Sequence, residues 1–275
     1  MKNLTPKVYL VGAGPGAADL ITLRGARLLE QAQIVFYDAL VDPEMLELCP
    51  NAVKVAVGKR CGKLSTAQKF IQKRMIDAAQ KYTHIVRLKG GDPMLFGRAD
   101  EELGALEAAG IEVEVVPGVT SAVAAAASLR QSLTLRGVSR SVAFVTLAKG
   151  VDESANGHLT NVPNADTLVY YMGRRDAQLI AQQLIDSGRA LSTPVSIIEA
   201  ISTKFERSLT LSLQQMADGS ATSWFSEDSP ALIMVGEALE ERISKADLGL
   251  NHTSICKIDD GEQNISIFSS GRRSA

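Results

Sequence analysis

Little in this chain suits a bound metal or a disulfide framework. Cys49, Cys61 and Cys256 are odd in number and lack C-x-x-C spacing, and His84, His158 and His252 stand far apart, so no His/Cys centre is indicated. Long apolar runs are missing too. Nothing approaches the length of a membrane span. The apolar segment of the opening MKNLTPKVYLVGAGPG is too short for a secretory signal and breaks at glycine, so a cytoplasmic protein is expected. A net charge of −2 gives no general attraction for nucleic acid.

What is present is the balance of a soluble globular protein, 45% hydrophobic and 22% charged. At 275 residues the chain exceeds one average domain, and two are expected. Charge is divided unevenly between them. Residues 1–150 hold 19 Lys and Arg against 14 Asp and Glu, and the remainder 10 against 17, so an anionic ligand is expected to meet mainly the first half.

Hydrophobic periodicity alternates strand and helix. Strands are predicted at 7–11, 34–37, 53–57, 84–88 and 111–116. Helices are predicted at 19–31, with Leu20, Leu23, Leu28 and Leu29 as core candidates, and from a Ser65/Gln68 capping box through Phe70, Ile71, Met75, Ile76 and Ala79. Further helices are expected at 101–109, ended by Gly110, and over the small, Ala-rich 119–129. The pattern loosens over 130–140, where the domain junction is placed, giving domains of 1–135 and 136–250. The alternation then restarts, with strands at 141–147, 167–172, 194–199, 208–213 and 231–235 and a helix at 176–187. A polar, Ser-rich tail, 251–275, is expected to be poorly ordered. This order implies an α/β protein with mostly parallel sheets and sites at strand C-terminal ends.

Three ligand-grade turns follow strands of the first half. Gly12-Ala13-Gly14-Pro15-Gly16-Ala17 satisfies G-x-G-x-x-A, and Asp38 ends the next strand, as a dinucleotide fingerprint would have it. An NAD-dependent oxidoreductase is therefore one reading. It leaves Gly90-Gly91-Asp92-Pro93 and Pro117-Gly118-Val119-Thr120-Ser121 without a task, as well as the Arg98/Glu101 pair, which a helix starting near Gly97 would place on one face. One cofactor enclosed from several sides accounts for all three loops.

Six segments in order carry a resemblance: Gly12 to Gly16, Val57-Gly58-Lys59-Arg60, Val86-Arg87-Leu88-Lys89-Gly90-Gly91-Asp92-Pro93, Val116 to Ser121, Tyr171-Met172-Gly173, and Pro230-Ala231-Leu232-Ile233-Met234-Val235-Gly236-Glu237. Together, over about residues 6–245, they resemble the tetrapyrrole methylase family, in particular its members that methylate uroporphyrinogen III. The resemblance implies two α/β domains with the active site in the cleft between them, a homodimer, and methyl transfer from S-adenosyl-L-methionine to C2 and C7 of uroporphyrinogen III. The products would be precorrin-2 and S-adenosyl-L-homocysteine, on the way to sirohaem, cobalamin or haem d1. By position it makes Pro15, Gly90, Gly91, Asp92, Leu95, Thr120, Ser121, Met172, Ile201 and Ala231 the cofactor lining, largely through backbone atoms. Asp38 becomes a proton acceptor and Lys59 a proton donor, while Arg98, Glu101 and Arg136 face the tetrapyrrole, with Arg98 and Glu101 also close to the chemistry.

The residue types agree with that implication. A sulfonium methyl donor is already activated, so positioning and proton management remain, and no metal is needed. Arginine forks suit a substrate with eight carboxylates, and Lys59, Arg60, Lys63, Arg98, Arg130 and Arg136 are candidates for the grip. Blander roles exist: Asp38 as a turn cap, Lys59, Arg60 and Lys63 as a solvated loop, Met172 as core. The chain also departs from the family pattern. Ala99 and Asp100 replace two glycines, Leu135 a histidine, Leu147-Ala148 a Gly-His pair and Ile201 a glycine. A later corrinoid as substrate, or a cofactor-binding module without turnover, are the other readings. Because Lys7 already begins the first strand, no dehydrogenase or chelatase domain is expected ahead of it.

Overall fold

Five short apolar segments of the first half line up as one wholly parallel sheet in a computed structural model that describes residues 5–58, 64–147 and 162–240. They are β1 (Lys7–Gly12), β2 (Ile34–Tyr37), β3 (Val53–Ala56), β4 (His84–Lys89) and β5 (Glu112–Val116), in the order β3-β2-β4-β1-β5. Crossovers run through α1 (Leu23–Glu30), α2 (Leu64–Ala78) and α3 (Ala99–Ala108). Side chains alternate across the pleat. Leu10, Phe36 and Ile85 therefore pack with Met75 of α2 and Leu106 of α3 on one face, and Val11, Val35 and Val86 with Leu29 of α1 and Met45 on the other. Burying each such side chain contributes about 1.5–3 kcal/mol. The strand order has a direct consequence for the loops: β4, β1 and β5 are neighbours, so the three glycine-bearing turns leave the sheet side by side.

The second half forms another five-stranded sheet, from β6 (Val142–Thr146), β7 (Thr167–Tyr171), β8 (Pro194–Glu199), β9 (Arg207–Ser212) and β10 (Ala231–Val235), in the order β6-β7-β10-β8-β9. Here the expectation of mostly parallel strands is corrected. Only β6 and β7 run parallel; β7-β10, β10-β8 and β8-β9 are antiparallel. Residues 200–206 alone separate β8 from β9, too few for the crossover that parallel pairing needs. The helix α5 (Ala177–Asp186) packs Ile180, Ala181 and Leu184 on one face of this sheet. A short α6 (Leu213–Ala217), which the periodicity missed, starts at a Ser212/Gln215 capping box.

Between the sheets lies α4 (Ser121–Ser128), which follows β5 but buries Ala122, Ala124 and Ala125 against Val169, Ile198 and Met234 of the second sheet. Alanines allow that close approach, so this helix ties the two halves together within one unit of the chain that ends at Glu240.

Two helical phases differ from the predicted ones. The expected 19–31 helix is a 3-10 turn, Ala18–Leu20, followed by α1, whose N-cap Thr22 accepts from the Gly25 amide. That cap restarts the helix and turns Leu23 outward, 76% exposed. In α2 the buried stripe is Gln68, Ile71, Met75 and Ala78, leaving Phe70 exposed beneath the Arg74 guanidinium. Gln68 does not serve a cap either; its side-chain amide donates to Glu102 of α3.

Candidate active site

The loops after β1, β4 and β5 are built against one another at backbone distance. Gly14 and Gly91 exchange two backbone hydrogen bonds, at 2.7 and 3.2 Å. A Cβ on Gly12 would stand 2.6 Å from the backbone of Gly118 and 2.7 Å from the carbonyl of Gly91, so the packing excludes any side chain there. Asp92 completes the joint, its carboxylate accepting from the amides of Met94 and Gly118, both at 2.8 Å. A lone dinucleotide loop would instead pass straight into a helix. Here α1 begins only at Leu23 and the first loop is bonded to the second, which removes the geometry on which the NAD reading rested.

Beside this joint opens a cavity of about 360 Å³. Its walls gather nearly every residue to which the family resemblance gives a role at the cofactor or in proton transfer. Pro15 comes from the first loop, Gly90, Gly91, Asp92 and Leu95 from the second, Thr120 and Ser121 from the third; Met172, Ile201 and Ala231 arrive from the second sheet, and Asp38 and Arg98 complete the rim. At Gly91, φ is +66° and nothing lies within 4 Å of a Cβ position, so a side chain would need a conformation L-residues avoid. Met172 is 54% exposed with φ +58°, and is not core. Ile201, between Ala200 and Ser202 in left-handed backbone, is itself outside that region and 5% exposed, so the conformation here tolerates its side chain.

The remaining predicted residues are placed differently. Arg98 caps α3 in left-handed backbone and grips Glu101 with both arms of its fork, at 2.6 and 2.8 Å. Glu101 does not line the cavity and reaches it only through that arginine. Arg136 is exposed at the tip of a tight turn closed by paired Leu135 and Ser139 backbone bonds, away from the cavity walls. Lys59, Arg60, Lys63 and the tail 251–275 lie outside the described residues. Among the departures, Ala99 is buried in the first turn of α3 while Asp100 points outward, and Leu147 packs on the second core.

Sequence reasoning missed the floor. Glu102, fully buried, accepts from Gln68 Nε2 (3.1 Å), Arg87 Nε (3.2 Å) and Lys89 Nζ (3.1 Å). Arg87 also donates to the Leu88 carbonyl at 2.9 Å and stands 3.7 Å from Asp38. Burial and the neighbouring Arg87 charge push the Lys89 ammonium below its ordinary pKa, against the pull of Glu102 and Asp38. The available signal was two basic residues two apart in an interior parallel strand, where both faces are covered and apolar residues are the rule. Tyr171 was missed as well. Its hydroxyl meets Thr120 Oγ1 at 2.6 Å and accepts from the Ala122 amide, joining β7 to the start of α4 at the cavity wall.

Two sheets joined by α4 thus enclose a glycine-walled cavity with a charged floor at the strand ends of the parallel sheet. Residues 7–217 match the family model of the tetrapyrrole (corrin/porphyrin) methylases. A uroporphyrinogen-III C-methyltransferase of Pseudomonas aeruginosa is 40% identical over 242 residues, covering 88% of this chain and 98% of that protein. A siroheme synthase of Psychrobacter sp. is 43% identical over 244 residues, 86% of this chain and 49% of the relative. The crystal structure of uroporphyrin-III C-methyl transferase from Thermus thermophilus complexed with S-adenosylhomocysteine superposes with a TM-score of 0.73 at 38% identity, covering 85% of this chain and 93% of that one. The chain spans about half the length of the siroheme synthases it matches. It belongs to the tetrapyrrole methylases.

Proposed function

We propose that this chain is an S-adenosyl-L-methionine-dependent methyltransferase that methylates uroporphyrinogen III at C2 and C7 to give precorrin-2. The observation that carries the reading is the joint of three glycine loops beside a charged floor, in a chain that matches the Pseudomonas aeruginosa methyltransferase over 98% of its length. The residues present fit the methyl donor. Backbone and small side chains at Gly14, Gly90, Gly91 and Ala231 allow close approach, and Leu95, Ile201 and Met172 supply apolar surface for an adenosyl group and a thioether. When bound, the donor supplies a methyl group already activated on a sulfonium centre.

The chain's own residues then hold the macrocycle and receive its proton. Asp38 projects into the cavity with one oxygen accepting from the Leu40 amide at 3.2 Å and the other facing Arg87. In that position it accepts the proton lost as the pyrrole carbon is alkylated. Arg98 orients a substrate carboxylate, and Glu101 fixes the plane of its guanidinium. Lys59 is assigned the return of a proton by family likeness. A cytoplasmic homodimer goes with this reading on the same ground, and a monomer in analytical ultracentrifugation would remove the dimer.

Incubation with uroporphyrinogen III and methyl-labelled S-adenosylmethionine tests the function. Two labelled methyl groups per macrocycle are expected; no incorporation overturns the reading, and incorporation only into a later corrinoid changes the substrate.

A further inference from the structure

The cavity floor holds hydrogen-bond donors that the proposed proton transfer does not use. At its buried end a pair of cations, Arg87 and Lys89, share the single carboxylate of Glu102; Asp38, the fourth charge, is 26% exposed and faces Arg87. Arg87 is committed on three sides, to Glu102, to the Leu88 carbonyl and to Asp38. Lys89 is not. Its ammonium has three N–H donors, and among the described residues its one hydrogen-bond partner is Glu102, although its side chain is only 6% exposed. Leaving donors of a buried cation without acceptors is costly, yet Lys89 lines the cavity, where a ligand could supply them. Its stem passes close to the loop before α3, where a Cβ on Gly97 would stand 2.4 Å from the Pro93 carbonyl and 3.2 Å from Lys89 Cε.

We propose that Lys89, anchored by Glu102, is a carboxylate-receiving contact at the cavity floor, a positioning residue for the bound reactants. This rests on the methyltransferase reading, which offers two sources for that carboxylate: the amino-acid end of the methyl donor, or an acetate of the macrocycle. Glu102, itself held by Gln68, then keeps the ammonium in place, while an arriving carboxylate accepts from the N–H donors that Glu102 leaves unused. If the cluster were merely an internal brace, replacing the lysine with an apolar residue of similar length would lower stability and leave ligand affinities alone.

The test uses the full chain carrying Lys89→Met, with Lys89→Gln as second variant should the first fail to fold. Four equilibrium affinities are measured by calorimetry or fluorescence: S-adenosylhomocysteine, its decarboxylated analogue, uroporphyrin III with eight carboxylates, and coproporphyrin III, which lacks the four acetates. A charged hydrogen bond of this kind is worth about tenfold or more in affinity. If the macrocycle provides the carboxylate, uroporphyrin III binding weakens by about that factor while coproporphyrin III and S-adenosylhomocysteine hardly change. If the donor provides it, S-adenosylhomocysteine weakens and its decarboxylated analogue does not. A folded variant in which all four affinities are unchanged, or fall equally, overturns the proposal. Because binding needs no turnover, failure of the methyltransferase reading shows separately, as wild-type protein that binds none of the four or transfers no label.

Discussion

Among the described residues each half of the molecule buries one glutamate almost completely, and the two are solved differently. Glu199, at the end of β8, accepts from Arg207 Nε and Nη2 at 2.8 and 2.6 Å and from the amide and hydroxyl of Ser226 at 2.9 and 2.7 Å. Arg207 in turn lies over the Trp224 ring, 4.3 Å from its centre, and donates to the Trp224 carbonyl. These partners come from β9 and the loop before β10, and none of them lines the cavity described above. Glu102 has three donors to the four of Glu199, but they come from α2 and β4, and their residues line a cavity. A buried carboxylate is therefore a poor indicator of function by itself. What separates a latch from a site is whether its partners retain donors directed at space a ligand can fill.

The largest effect expected from breaking this comparison is on stability. Glu102→Leu leaves Arg87 and Lys89 buried without their counter-charge and should cost about 3–5 kcal/mol. Glu199→Leu should cost less, about 1–3 kcal/mol, because the Arg207 side chain is 43% exposed and can return to water. Denaturant unfolding of both variants measures the difference, and equal costs would erase the distinction between latch and site.

Next in size is the rim of the same cavity. Arg98→Lys keeps the charge but loses the fork held by Glu101, and turnover should fall ~10²–10³-fold. Melting temperature and S-adenosylhomocysteine affinity should barely move, since an exposed i,i+3 pair is worth at most about 0.5 kcal/mol. Near-normal turnover would confine the substrate grip to other cations.

The smallest effect lies at the opposite end of β4. His84, its first residue, stacks on Tyr9 with ring centroids 4.5 Å apart and bonds the Leu28 carbonyl at 3.1 Å. Burial pushes its pKa below the ordinary 6.5, with the carbonyl bond opposing. The folded state thus prefers the neutral ring. Its stabilisation is complete above about pH 6.5 and is lost as pH falls through the lower folded value, where the unfolded chain already binds the proton. The melting temperature should drop between pH 7 and pH 5, and His84→Gln should flatten some of that drop; an unchanged slope would place the acid sensitivity elsewhere.

The strand–helix alternation and the three glycine turns were legible from residue order because they are local. Period-2 and period-3.6 patterns set which faces are apolar, and Gly12, Gly14, Gly90, Gly91 and Gly118 mark backbone that has to come close to something. The pattern says neither what that something is nor which strands become neighbours. That the partner is the next glycine loop follows from the β4-β1-β5 order, and the antiparallel pairing of the second sheet from the short link between β8 and β9. The charged floor was beyond local reading. Gln68 reads as part of a capping box, and nothing in the residue order marks Arg87, Lys89 or Glu102 as partners of one another. Their meeting joins α2, β4 and α3, and burial together with long-range charge, neither of them a property of short segments, gives these four residues their significance. The same physics left Arg136 outside the cavity, on a turn whose backbone bonds close on themselves.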